Sequence, residues 1–200
     1  MEIIKREAKK QDDALNLACE FLNVNKDEVY YYFEEISGVF GKKYAVYVVT
    51  KYDIKDYIIK FLNDLTSLMN EQVDISVGIN KGCIYVYISA LNSSLMIGRD
   101  GKNLFALETI LRQSLRAFGK FDIKVNVDID GYKERKEFNL VKEVKRACTD
   151  VLKTKIDVKF DPMNSYERMI IHNTVSDFSN LVTVSEGEEP LRYVVIKYKD

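Results

Sequence analysis

The chain has 200 residues, 46% of them hydrophobic and 30% charged, which is enough apolar material for one packed domain or for two or three small ones. Its 30 Lys+Arg and 31 Asp+Glu leave a formal net charge of −1, which excludes a polybasic protein held to nucleic acid by bulk charge and equally an acidic disordered tail. No uncharged apolar run approaches the roughly 18 residues that span a bilayer, and the opening MEIIKREAKK lacks the apolar stretch of a signal peptide, so a soluble, cytoplasmic protein is expected.

Three α+β modules are predicted in chain order. The first, residues 1–52, begins with a short strand at residues 2–5. A helix follows, capped by Asp12 or Asp13, with Ala14, Leu15, Leu17, Ala18, Phe21 and Leu22 near a 3.6-residue period. Residues 29–33 and 44–49 are β-branched and aromatic runs joined by a loop between Gly38 and Gly41, which reads as a hairpin and completes a β-α-β-β order. Val39 and Phe40 stand at its tip, either offered to a partner or folded back over the sheet. Single exposed apolar residues are common, which favours the second reading.

The second module, residues 53–131, opens with a helix capped by Asp53 that carries Ile54, Tyr57, Ile58, Phe61, Leu62, Leu65 and Leu68. Strands at 73–79 and 83–89 flank the turn Asn80-Lys81-Gly82. A short helix at Leu95-Met96-Ile97 leads to Gly98-Arg99-Asp100-Gly101, then to a longer amphipathic helix ended by Gly119. Alternation over 123–129 closes the α-β-β-α-α-β order with a half-buried strand.

The third module, residues 132–200, starts with a helix whose apolar positions are Val141, Val144, Cys148, Val151 and Leu152. It also bears Lys133, Arg135, Lys136, Lys142, Lys145, Arg146 and Lys153. A short strand at 156–160 precedes a second helix, with Asn164 and Glu167 spaced as a capping box. Strands at 182–184 and 193–199 close the chain. By region the formal charge is −2 over 1–50, −1 over 51–96, +5 over 97–155 and −3 over 156–200. The basic surplus therefore falls on the glycine corner and the Lys-rich helix.

Few residues argue for catalysis. Cys19, Cys83 and Cys148 lie about 65 residues apart with no Cys-x-x-Cys pair, which suits buried apolar side chains better than zinc or disulfides. His172 is the single histidine, and no phosphate-cradling or dinucleotide glycine motif is present. No catalytic residue, metal site or cofactor is expected.

Two motifs carry the functional reading. In Gly98-Arg99-Asp100-Gly101 the glycines allow a sharp turn and close approach, and the following helix offers its free N–H groups and dipole to a phosphate. Arg99 and Lys102 add positive charge there. With its flanks, Leu95-Met96-Ile97 before and Lys102-Asn103-Leu104 after, this corner resembles that of a KH domain of the type II order, whose Gly-x-x-Gly loop clamps about four backbone nucleotides. The resemblance implies that Ile97 lines a base groove, and that Gly98, Arg99, Gly101, Lys102 and Asn103 form the clamp. Asp100 departs from the basic or small residue usual there.

In the second motif, Arg168 and His172 lie four apart on one helical face. With Pro162-Met163-Asn164 before them and Ser185-Glu186-Gly187-Glu188 and Arg192 after, they resemble an R-three-H domain, a family associated with single-stranded nucleic acid. The whole order is similar to the bacterial Jag family (also called KhpB). That resemblance implies an RNA-binding protein, an RNA chaperone or post-transcriptional regulator linked to cell-wall synthesis and cell elongation. It further implies single-stranded RNA or DNA as ligand, and pairing with itself or with a small single-KH protein. Arg168, His172 and Arg192 would contact the strand, with Arg135, Lys136, Lys142, Lys145 and Arg146 as a basic track. The alternative is a protein-interaction scaffold whose KH fold dimerises and whose clamp is spoiled by Asp100.

Overall fold

The computed structural model describes residues 1–38, 41–80 and 82–199. The hairpin tip at Val39 and Phe40 lies outside them. The described chain builds three three-stranded sheets in an α+β fold. Residues Met1–Asp130 form one unit and Gly131–Asp200 another.

In the first sheet, β1 (Ile4–Ala8) and β2 (Val29–Gly38) both run antiparallel to the central β3 (Gly41–Thr50). β1 starts two residues later than predicted because Ile4 pairs with Val48 and Ala8 with Tyr44. The helix α1 (Gln11–Leu22) is not capped by Asp12 or Asp13; Lys10 holds the cap position, and both carboxylates sit in the first turn, where the helix dipole favours them. Its face of Ala14, Leu15, Ala18 and Cys19 buries against Val29, Val46 and Val48.

The period of two sends alternate residues to the other face of that sheet. Tyr32 stacks on Tyr47 with ring centroids 4.8 Å apart and meets Phe121 edge-on at 4.9 Å. The Tyr30 hydroxyl donates to the Gly82 carbonyl at 3.2 Å, and Lys120 pairs with Glu34 at 2.8 Å. The first two sequence modules therefore share one packed unit. Gly119 does not cap the helix before it. That helix, α4 (Lys102–Arg116), stops earlier, and a Cβ at Gly119 would sit 3.0 Å from the Tyr32 ring.

α2 (Lys51–Leu68) is capped by Thr50 rather than Asp53. The Asp53 amide donates to Thr50 Oγ1 at 2.9 Å, and that hydroxyl donates to Asp53 Oδ2 at 2.8 Å. Ile54, Ile58 and Leu62, one turn apart, are fully buried. Truncating any one of them to Ala would cost about 2–5 kcal/mol. β4 (Val73–Asn80) is antiparallel to β5 (Cys83–Ala90), and β5 is parallel to β6 (Lys124–Ile129). A parallel neighbour needs a crossover, and α3 (Ser93–Ile97) with α4 supplies it. The glycine corner lies between those two helices. Ile84, Val86 and Ile88 point to one buried side, as do Val125, Val127 and Ile129.

The second unit packs α5 (Tyr132–Thr154) and α6 (Ser165–Ser176) on a sheet ordered β7 (Val158–Lys159), β9 (Tyr193–Tyr198), β8 (Leu181–Glu186), antiparallel throughout. Val144, Cys148 and Val151 meet Ile171, Val175, Val194 and Ile196 in its core. The expected capping box at α6 is formed: the Glu167 amide donates to Asn164 Oδ1, and the Asn164 amide donates back to the Glu167 carboxylate, each at 3.0 Å. β7 is shorter than the predicted strand at 156–160, since only Val158 and Lys159 pair with β9. Cys19 and Cys148 are buried as expected, whereas Cys83 is only half-buried.

Candidate nucleic-acid interface

The glycine corner owes its shape to three residues with positive φ. Gly98 has φ 70° and ψ 178°, a region open in practice to glycine alone. A Cβ there would also lie 2.6 Å from the Asn103 side chain. Gly101 has φ 83°. Between them Asp100 has φ 56°, the left-handed conformation that Asp tolerates better than most side chains. The carboxylate that departs from the family pattern is thus one the backbone accepts, and Asp100 is not without a partner.

Around this corner the candidate residues divide. Arg99 and Lys102 are exposed, and neither makes an ion pair among the described residues. No side chain caps α4 at Gly101; the Lys102 amide donates to the Arg99 carbonyl, so the amides that follow it are the ones left for an anion. Asn103, expected in the clamp, donates through Nδ2 to the Leu95 carbonyl at 2.8 Å, tying α3 to α4. Ile97 is buried, forming the floor rather than an open contact.

The basic track also splits. Lys136 pairs with Glu167 at 2.7 Å, and Arg135 is likewise engaged. Lys142, Lys145 and Arg146 are exposed and make no ion pair among the described residues. They line a shallow cleft on α5 with Phe138, Val141 and Thr149. Phe138, which the sequence reading passed over, is 66% exposed. It could have been found from its spacing, since positions 138, 141, 142 and 145 share a helical face.

Arg168 and His172 do share a face of α6, but each is held by other partners. His172 Nδ1 lies 2.5 Å from Thr183 Oγ1, and Nε2 lies 2.9 Å from Ser185 Oγ. Burial, and then the Arg168 charge, push its pKa below the usual histidine value. A neutral ring suits the arrangement, donating from one nitrogen and accepting at the other. His172 therefore pins α6 to β8 rather than presenting a free ring to a ligand. Arg168 is 9% exposed and donates to Glu189 Oε1 at 2.5 Å. Its Nε has no acceptor among the described residues, and neither has the buried Nε of Arg192. Guanidinium groups with unused donors, one on the buried Arg168 and one on the half-buried Arg192, suit an incoming oxyanion. Thr183, Ser185 and Glu189 lie 11 to 21 residues from their partners in sequence, too far for any local pattern to announce.

Among the described residues, no group of three or more His, Cys, Asp or Glu side chains could hold a metal ion. Among them, too, no helix is long and apolar enough to cross a membrane.

Comparison with known proteins accords with this architecture. Residues 139–198 match the model of the R-three-H domain, a span that contains Arg168, His172 and Arg192. The RNA-binding protein KhpB of Clostridium symbiosum is 30% identical, with 100% of this chain and 93% of that protein aligned. The RNA-binding protein KhpB of Bacillus subtilis is 31% identical over 94% of each chain. The KhpB of Lactiplantibacillus plantarum is 27% identical over 70% of this chain and 42% of its own length. Likeness at this level along the length of both partners in the first two, together with the R-three-H match over the second unit, means that the chain belongs to the KhpB family.

Proposed function

We propose that this protein binds single-stranded RNA without catalysing a reaction, gripping the backbone at the Gly98–Lys102 corner and again on the R-three-H unit. The observation that carries the reading is the open corner itself: two cations with no ion pair among the described residues, beside an uncapped N-terminus of a 15-residue helix, on a backbone that only glycine can adopt at Gly98. The names of the full-length relatives point the same way.

In this reading Arg99 and Lys102 neutralise phosphates while Asn103 braces the corner. On the second unit, Arg168 and Arg192 supply guanidinium donors and His172 acts as a positioning residue. In the free protein Glu189 holds Nη2 of Arg168, and a phosphate replaces it on binding. An RNA ligand supports a cytoplasmic role, as an RNA chaperone or regulator of transcripts. A tie to cell-wall synthesis and elongation rests on the family resemblance.

The test is a titration of the full chain with a labelled single-stranded oligonucleotide over a range of salt. Binding should weaken with salt at a slope of about −0.7 per phosphate engaged. Arg99→Asp should lower both affinity and slope. Unchanged affinity of that variant at every salt concentration would remove the clamp assignment. Self-association in light scattering, with no RNA shift even at low salt, would favour a scaffold instead.

A further inference from the structure

We infer that the outer face of α5 is a nucleobase-stacking site, with Phe138 as the platform and Lys142, Lys145 and Arg146 as its phosphate contacts. The inference rests on the single-stranded RNA reading above and adds a third contact surface to it.

At 100° per residue, Phe138, Val141, Lys142, Lys145, Arg146 and Thr149 fall on one stripe of the helix. These six residues line the cleft. The stripe lies away from Val144, Ala147, Cys148 and Val151, which are buried in the core of the second unit. Phe138 is thus not a core residue displaced to the surface. It stands 66% exposed on a face turned from the core of the second unit. The cations beside it are free of ion pairs among the described residues, unlike Lys136, which Glu167 holds. Glu137, next to Phe138 in sequence, is turned aside to accept from the Tyr166 hydroxyl at 2.9 Å.

An aromatic ring among such cations matches a single strand on both counts. Its face stacks a base of any sequence, and the cations meet the flanking phosphates. Phe138 and Arg146 are eight residues apart, a span of about 12 Å along the helix. A duplex keeps its bases stacked inside, so the site selects unpaired strands. An apolar protein partner would have to leave three lysine and arginine heads unmatched at the rim, and an acidic peptide would leave the ring unused.

The chain has no tryptophan, so Phe138→Trp places a single reporter on this face, at a position exposed enough not to disturb folding. Uridine and adenosine 12-mers should quench its emission, while an abasic strand of equal length should not. Phe138→Ala should weaken oligonucleotide binding by about fivefold to a hundredfold, as loss of one base stack does, with the salt slope unchanged. Lys142→Gln with Lys145→Gln should instead reduce that slope. If the 12-mer binds the Trp variant with no change in emission, and Phe138→Ala binds as tightly as the wild type, the stacking site is refuted while the RNA reading stands. Equal quenching by the abasic strand or by an acidic peptide also overturns it. If the wild-type chain binds no oligonucleotide at all, the RNA reading fails first and this site falls with it.

Discussion

At the side chain Arg168 is 10% exposed and its partner Glu189 61% exposed. The ion pair therefore has one fixed member and one member free to leave. Glu189 sits in the loop between β8 and β9, close in sequence to Glu186 and Glu188, and it takes one Arg168 donor, Nη2, that a phosphate would otherwise use. Replacing it with Gln should tighten binding of single-stranded RNA by about two- to fivefold, the scale of an exposed pair worth about 0.5–1 kcal/mol. Fluorescence anisotropy at fixed salt checks this. Equal affinities for Glu189→Gln and wild type would mean that Arg168 is a structural residue alone.

Gly98 and Gly82 both have positive φ, 70° and 76°, but their surroundings differ. Nothing lies within 4 Å of a Cβ at Gly82, whereas one at Gly98 collides with Asn103. Gly98→Ala should cost about 2–4 kcal/mol, backbone strain and the collision together, and Gly82→Ala about 1–2 kcal/mol from strain alone. Urea denaturation of the two variants makes the comparison. Equal costs would show that Asn103 moves aside freely and does not brace the corner.

His172 gives a pH signature that no other histidine can obscure. Its pKa in the folded chain is depressed by burial below the ordinary 6.5. The unfolded chain therefore takes up a proton on His172 before the folded one does, and stability declines as pH falls below about 6.5. Above that pH both states are neutral and the contribution is constant. A Tm series from pH 7.5 to 5 should show this decline, and His172→Gln should flatten it while lowering Tm throughout. Parallel pH profiles for the two proteins would contradict the neutral, hydroxyl-held ring.

Thiol chemistry distinguishes the three cysteines. Burial shields Cys19 and Cys148 and raises both of their pKa values, while Cys83 is only half-buried near the start of β5. An excess of maleimide on the native protein should label one equivalent rapidly, and mass spectrometry should find it on Cys83. Labelling of Cys148 at the same rate would mean that the core of the second unit opens readily.

Much of this protein could be read along the chain. The α-β-β-α-α-β order, the Asn164–Glu167 capping box and the four-residue step from Arg168 to His172 are local patterns, fixed by periodicities of two and 3.6 residues that need no knowledge of neighbours. The glycine corner was legible for the same reason, since Gly98 and Gly101 mark a turn wherever they stand. Helix starts were less so. Thr50 displaced Asp53 as a cap because adjacent polar side chains compete for the same few amide donors, and Asp12 and Asp13 became first-turn residues of a helix that starts at Gln11 and has no side-chain cap.

What only the tertiary structure decided is the choice of partner for each charged or polar group. Glu189 for Arg168, Thr183 and Ser185 for His172, and Glu167 for Lys136 are separated in sequence by 11 to 31 residues, and a composition of balanced charges allows many pairings. Chain folding chooses among them by bringing some side chains within hydrogen-bond reach and leaving others, such as Lys142, Lys145 and Arg146, facing water. A charge's availability is a property of its surroundings in space, so it appears only once the helices and sheets have packed.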